Sequence, residues 1–386
     1  MPLTGLLLVL ALGGCRQAPE AVPDELRFGW HWQRFQQTFI DVQGRVIDRG
    51  SERSISTSEG QAYALFFALV ANQPEQFAQL LNWTEANLAQ GALADNLPAW
   101  LWGHADDGDW RVLDGNAASD ADVWLAYTLL QAGRLWRQPR YSALGKRLAK
   151  QIIEHETVQI GEQLILLPAP QGFQVDENTW RLNPSYFSLP LFVGLAHESG
   201  DKEAWLGVYQ SSLLLLQEAI KISPYVGDWL QLQGDDAQTW LLTYNEDTQA
   251  SYDAIRTYLW LALDWQRLQQ AADAYALTPF AAMADITAEL SVPPRSLQLT
   301  RRDIDATSIA AGPIGFSAVL LPYLKALDEE AYQAQRLRIT ALQPAQYQQN
   351  YYDHVLLLFG LGGLDCFSFS RQGELKVRWH EQNCQV

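Results

Sequence analysis

The sequence predicts an all-α fold. Apolar residues recur at helical spacing along most of the 386 residues, and Gly, Pro and Asn break that rhythm at about helix-length intervals. No alternation of strand and helix patterns of the βαβ kind is present. In order, helices are expected in the "AYALFFALVA" run after Glu59 and over 75–90, 120–136, 141–155, 188–199 and 203–220. Further ones follow over 250–265, 312–327 and 351–363. Two alternating stretches, "QLILLPAPQGFQV" (163–175) and "FSFSRQGELKVRW" (367–379), read as peripheral hairpins. About a dozen helices fit a bundle, a solenoid or a closed ring of helix pairs, and the lack of a fixed period disfavours a regular solenoid.

The N-terminal "MPLTGLLLVLALGGC" has a short apolar run followed by small residues, which reads as a secretory signal rather than a membrane span. "LGGC" is similar to a bacterial lipobox, which makes Cys15 a candidate for lipidation and 16–28 a tether. Nothing after residue 30 is linker-like, so 29–386 is expected to be one domain. Cys366 and Cys384 are the other cysteines, and an oxidising compartment would let them pair.

A net charge of −17 repels nucleic acid and anionic lipid, so a neutral substrate is the easier partner. Fifteen Trp are more than packing requires, and aromatic faces stack on sugars and other flat ligands. The six His lack metal-ligand spacing, and no metal or other cofactor is expected.

The residues that suggest chemistry are carboxylates set among aromatics in otherwise buried stretches. Glu59 stands in "SEGQAY", Asp120 and Asp122 in "NAASDADVWLAY", and Asp253 in "SYDAIRTYLW". Burial raises a carboxyl pKa and suits it to give up a proton at neutral pH, whereas an Arg neighbour keeps one ionised. Each acid has a bland reading too. Glu59 suits a helix start that Ser56, Thr57 or Ser58 would cap, Ser119-Asp120 reads as an N-cap, and Asp253–Arg256 as a surface pair three apart.

Taken together, "SEGQAYALFFALVAN", "LPAWLWG", "ASDADVWLAYTLLQAGRLW", "NPSYF", "SYDAIRTYLWLAL" and "GPIGFSAVLLPYL" resemble the family-8 glycoside hydrolases. The likeness runs from "FQQTFIDVQGRVID" to "GELKVRW" and is strongest to the subgroup that accompanies bacterial cellulose synthase. Leu125 stands where the family signature has Ile or Met.

The resemblance implies an (α/α)6 barrel with an open cleft and endo-hydrolysis of β-1,4-glucan with inversion. Glu59 would be the general acid and Asp253 the base. Asp120 and Asp122 match the signature pair; the first would grip the distorted sugar rather than act as the nucleophile it has been labelled. Trp100, Trp102, Trp124, Trp180 and Tyr186 are the expected sugar platforms, about half of them core. Asn183 and Arg256 would bind hydroxyls, and Tyr252 flanks the base. A cellulose synthase complex is the implied partner, with a periplasmic location. The alternatives are a chitosan- or xylan-cleaving enzyme on the same scaffold, or a non-catalytic glycan-binding component of an export complex.

Overall fold

The computed structural model describes residues 22–234, 240–269, 274–299 and 309–386, apart from 342, 344, 346 and 348. The signal- and lipobox-like segment and most of the expected tether lie outside the described residues.

Among the described residues, thirteen helices alternate between an outer and an inner layer. The outer ones are α1 (Phe28–Phe39), α3 (Pro74–Leu88), α5 (Pro139–His155), α7 (Lys202–Ile222), α9 (Ala282–Leu290) and α12 (Glu329–Ala341). The inner ones are α2 (Ser58–Val70), α4 (Ser119–Leu135), α6 (Leu189–Glu198), α8 (Ala254–Leu268), the pair α10 (Ile314–Val319) and α11 (Leu321–Leu327), and α13 (Tyr351–Asp365). Each inner element touches the next, and α13 returns to α2, so the ring closes. This is the expected (α/α)6 arrangement.

Sequence pattern explains the two layers. The inner helices are apolar on all sides, and in α2 every residue except Glu59 is buried. The outer helices bury one face, as α5 does with Leu144, Leu148 and Ile152 at four-residue spacing. The inner strand of helix breaks between α10 and α11 because Pro322 has no N–H for the carbonyl of Ala318. Gly360 fits against that carbonyl: a Cβ there would lie 1.9 Å from the Ala318 oxygen.

Small antiparallel sheets decorate the ring. β1 (Ser56–Thr57), β2 (Leu101–His104) and β3 (Trp110–Asp114) form one. β4 (Thr157–Ile160) pairs with β5 (Gln163–Leu166). A four-stranded sheet runs β6 (Gln174–Asp176), β7 (Thr179–Leu182), β8 (Leu230–Gly234), β9 (Trp240–Thr243). β10 (Gln249–Ala250) pairs with β11 (Leu297–Gln298), and β12 (Phe367–Phe369) with β13 (Leu375–Val377).

Both hairpin expectations need correction. Residues 163–175 do not pair with themselves, since β5 joins β4 and β6 joins β7. The 367–379 hairpin does form, yet it is not peripheral. Phe367 and Phe369 alternate inward onto Phe66 and Tyr127, and Arg134 at the end of α4 donates to the carbonyl of Leu375 at 2.6 Å. It closes the ring at the C-terminal ends of the inner helices. Cys366 and Cys384 form a disulfide that ties down the C-terminal segment.

Candidate active site

The opposite end of the ring carries the carboxylates, at the N-terminal ends of inner helices, where backbone dipoles favour negative charge. Thr57 caps α2 by accepting from the N–H of Gly60 at 3.0 Å, which puts Glu59 in the first turn. The N–H of Ser58 donates to the carbonyl of Trp100, so the β1–β2 pairing fixes where α2 begins. Position 60 must lack a side chain, because a Cβ would lie 2.6 Å from the hydroxyl of Tyr351.

Asp120 lies in the first turn of α4, and the N-cap expectation fails there: the cap position is Ala118, with no side-chain bond. Asp120 is buried instead against the site, its Oδ2 3.5 Å from Arg256 Nη1. Desolvation, and after it the charge of Glu59, hold its carboxyl well above the usual range, and its side chain is hydrogen-bonded to Glu59. A hydrogen bond between two carboxyls needs a proton on one of them.

Asp122 does not join the cluster. Two residues further along a helix, a side chain points about 200° away. It is fully buried against Glu156, at the end of α5, and burial raises both carboxyls. The two side chains are hydrogen-bonded to each other, which a pair of carboxyls allows only when one of them carries a proton.

Asp253 immediately precedes α8 and makes no cap bond. Asp228 supplies it, accepting from the N–H groups of Ser251 at 2.9 Å and Ala254 at 2.8 Å. The freed Asp253 carboxylate accepts from Asn183 Nδ2 at 3.0 Å and lies 3.2 Å from Arg256 Nη2. Burial pushes its pKa up and Arg256 opposes the shift.

Arg256 is the hub. Its buried guanidinium donates through Nη1 to Glu59 and to the hydroxyl of Tyr63 (2.9 Å), and through Nη2 to Ser185 Oγ (3.1 Å) and Asp253. Oxygens gripped by the two nitrogens of one guanidinium can be no more than about 8 Å apart, which brings Glu59 and Asp253 into one cleft. Arg256 is therefore committed to the carboxylates rather than to a sugar. Asn183 is likewise buried, and its Oδ1 accepts from Ser185 N–H and Oγ while its amide holds Asp253.

The aromatics divide. Trp124 is 0% exposed and packs against Tyr63, Phe66, Trp260 and Phe359; Trp180 is 8% exposed on β7. Both are core, contrary to their expected role as platforms. Trp100 and Tyr252 are exposed, and Trp102 is half-buried under Trp110, stacked at 5.3 Å and 18°. Arg45 sits over both rings of that pair. Tyr186 is half-buried, and the charges of Asp120, Arg256, Glu59 and Asp253 all bear on its hydroxyl.

Sequence reasoning missed Tyr63, Ser185, Asp228, Glu156, Trp110 and Tyr352, whose ring lies 6.0 Å from the Arg256 guanidinium. For Tyr63 and Ser185 the one signal available was position, since they stand in "SEGQAY" and "NPSYF"; Asp228, Glu156, Trp110 and Tyr352 lie outside the motifs.

The sequence profile described as glycosyl hydrolases family 8 matches residues 18–364. The chain is 42% identical to an endoglucanase of Salmonella typhi over 355 residues, 91% of each chain. It is 39% identical to an endoglucanase of Escherichia coli K12 over 353 residues, again 91% of each. The crystal structure of the endo-1,4-D-glucanase from Vibrio fischeri ES114 superposes with a TM-score of 0.81 at 36% identity, covering 91% of this chain and 99% of that one. With its ring of helix pairs and its carboxylates gathered on Arg256, this chain belongs to glycosyl hydrolase family 8.

Proposed function

We propose that the protein is an endo-acting β-1,4-glucanase that works by inversion. The observation that carries this is the pair Glu59 and Asp253 held on one guanidinium at the N-terminal end of the ring. Inverting glycosidases need two carboxyls about 6.5–9.5 Å apart, with room for a water against the far face of the sugar. The endoglucanases to which the chain is similar across nine-tenths of its length support the substrate class.

In this reading Asp253 takes a proton from the attacking water, oriented by Asn183 and Arg256. Glu59 gives a proton to the departing glycosidic oxygen. Asp120, whose carboxyl burial holds above the usual range, is in side-chain hydrogen-bond contact with Glu59 and can pass it that proton. Arrival of the glycosidic oxygen draws it to Glu59. Asp120 also grips the sugar at the scissile bond, where contacts that strengthen in the transition state raise the rate.

We place the protein outside the cytoplasm, beside a cellulose synthase complex. The apolar leader, the lipobox-like "LGGC" and the Cys366–Cys384 disulfide support export. Incorporation of labelled fatty acid that disappears in Cys15→Ser would establish the anchor; equal labelling of parent and variant would remove it.

Proton NMR of a fresh digest tests the chemistry. The α-anomer should appear first from carboxymethyl-cellulose, with chitosan and xylan cleaved far more slowly. Initial β-anomer would mean retention and would return Asp120 to the role of nucleophile. Parent and Glu59→Gln releasing sugar ends at equal rates would end the hydrolase reading.

A further inference from the structure

A cavity of 370 Å³ lies over the four-stranded sheet, outside the cluster just described. One wall is formed by Trp229 and Arg181. Phe173 lies parallel to Trp229 at 5.8 Å and 8°, and the Arg181 guanidinium sits 4.0 Å from the Trp229 ring centre. Arg181 and Gln231 face each other across β7 and β8, and Asn245, Thr248 and Gln249 complete the polar lining.

Charge and valence select the occupant. Among the described residues Arg181 has no carboxylate partner, although Asp228 and Asp247 line the same cavity and the chain carries a net charge of −17. Those two carboxylates disfavour an anion, and the guanidinium disfavours a cation. What remains is a neutral ligand that both donates and accepts hydrogen bonds, as the amides of Gln231, Asn245 and Gln249 and the hydroxyl of Thr248 require. The volume suits about two sugar rings. The guanidinium already rests against the Trp229 ring, so less side-chain freedom is lost when a ligand binds.

Position identifies which sugar. The Asp228 that walls this cavity is the residue that locks the start of α8, next to Asp253. The cavity therefore opens at the cleft end of the ring, beside the base. We propose that it is a remote subsite for glucosyl units of the same β-glucan chain, beyond those that flank the scissile bond. The proposal rests on the hydrolase reading above. It gives the enzyme a preference for long chains that the acid–base cluster by itself does not supply.

Calorimetric titration tests it, with cello-oligosaccharides from tetraose to heptaose and Glu59→Gln as the slow background. Affinity should rise with length in Glu59→Gln and rise about tenfold less in Glu59→Gln/Arg181→Ala. Gln231→Ala in the same background removes a hydrogen-bonding group without uncovering Trp229, and should flatten the length dependence as well. The same rise in all three proteins would overturn the subsite while leaving the hydrolase intact. A parent protein that releases no sugar ends from carboxymethyl-cellulose would remove the hydrolase reading, and this subsite with it.

Discussion

Asp228 caps the helix that follows Asp253. Its Oδ1 accepts from the N–H of Ala254 at 2.8 Å, one of the first-turn donors that the helix cannot satisfy internally, while Asp253 itself makes no cap bond. The proposed base is thereby left to Asn183 and Arg256. A structural carboxylate does the capping so that a reactive one can face the cleft.

That division of labour predicts opposite pH shifts. Asp228→Asn keeps a competent cap but removes a negative neighbour that raises Asp253. The base then ionises more easily, and the acidic limb of kcat/KM moves to lower pH. Asn183→Ala removes an N–H that favours the ionised form, so that limb moves to higher pH. Shifts in the same direction would show that Asp253 does not set the limb.

Arg256→Lys should lower kcat about 100-fold or more, because a single ammonium cannot grip Glu59 and Asp253 as two nitrogens of a planar fork do. Arg256→Ala leaves the half-buried Glu59 and Asp253 without their counter-charge and should cost about 1–3 kcal/mol of stability. Sugar-end release and denaturant unfolding separate the two effects. A Lys variant within twofold of the parent would mean the hub is dispensable.

The aromatics can be sorted by the same pair of assays. Trp102→Ala removes a half-buried ring from the exposed Trp102–Trp110 stack and should raise KM for the polymer while the melting temperature changes little. Trp124→Ala empties the centre of the ring and should cost about 3–5 kcal/mol. A stable Trp124→Ala protein with a weakened KM would restore that residue as a platform.

The Asp122–Glu156 pair makes stability depend on pH. Both carboxyls are raised above their unfolded values, so the folded state retains a proton that the unfolded chain releases above about pH 4. Stability is then lost as pH rises from there, by about 1.4 kcal/mol per pH unit for each proton retained. Glu156→Gln provides an N–H donor to Asp122 and needs no shared proton. Urea unfolding from pH 4.5 to 8 should give a flatter profile for the variant and greater stability near neutrality. An unchanged slope would mean the pair is not protonated.

Much of the ring was legible because it is local. α2, α4, α6, α8 and α13 are near-continuous apolar runs with clear stops, and periodicity finds such runs wherever they end up. The helices that escaped notice, α1, α9 and α12, are all outer ones. α12, "EEAYQAQRLRITA", buries only Ala331, Tyr332, Gln335 and Ile339, too thin a stripe to stand out among its polar residues. Some short strands escaped because their partners lie elsewhere in the chain, as β1 does by pairing with β2 and β7 by pairing with β8.

The site divides along the same line. The motifs placed Glu59, Asp120 and Asp253 as the residues of interest, and helix geometry alone separates Asp122 from Asp120, since neighbours two apart on a helix face different ways. The roles of Arg256, Asn183 and Asp228 came only from the closed ring. Each joins segments far apart in sequence: Arg256 reaches Glu59 across 197 positions, and Asn183 reaches Asp253 across 70. Exposure was equally hidden. Trp100 and Trp124 lie in similar apolar surroundings in the sequence, yet one is at the rim and the other at the centre. Local pattern tells the chain where to be helical. Which side chains meet depends on six inner elements closing into a circle, and no stretch of the sequence holds that closure by itself.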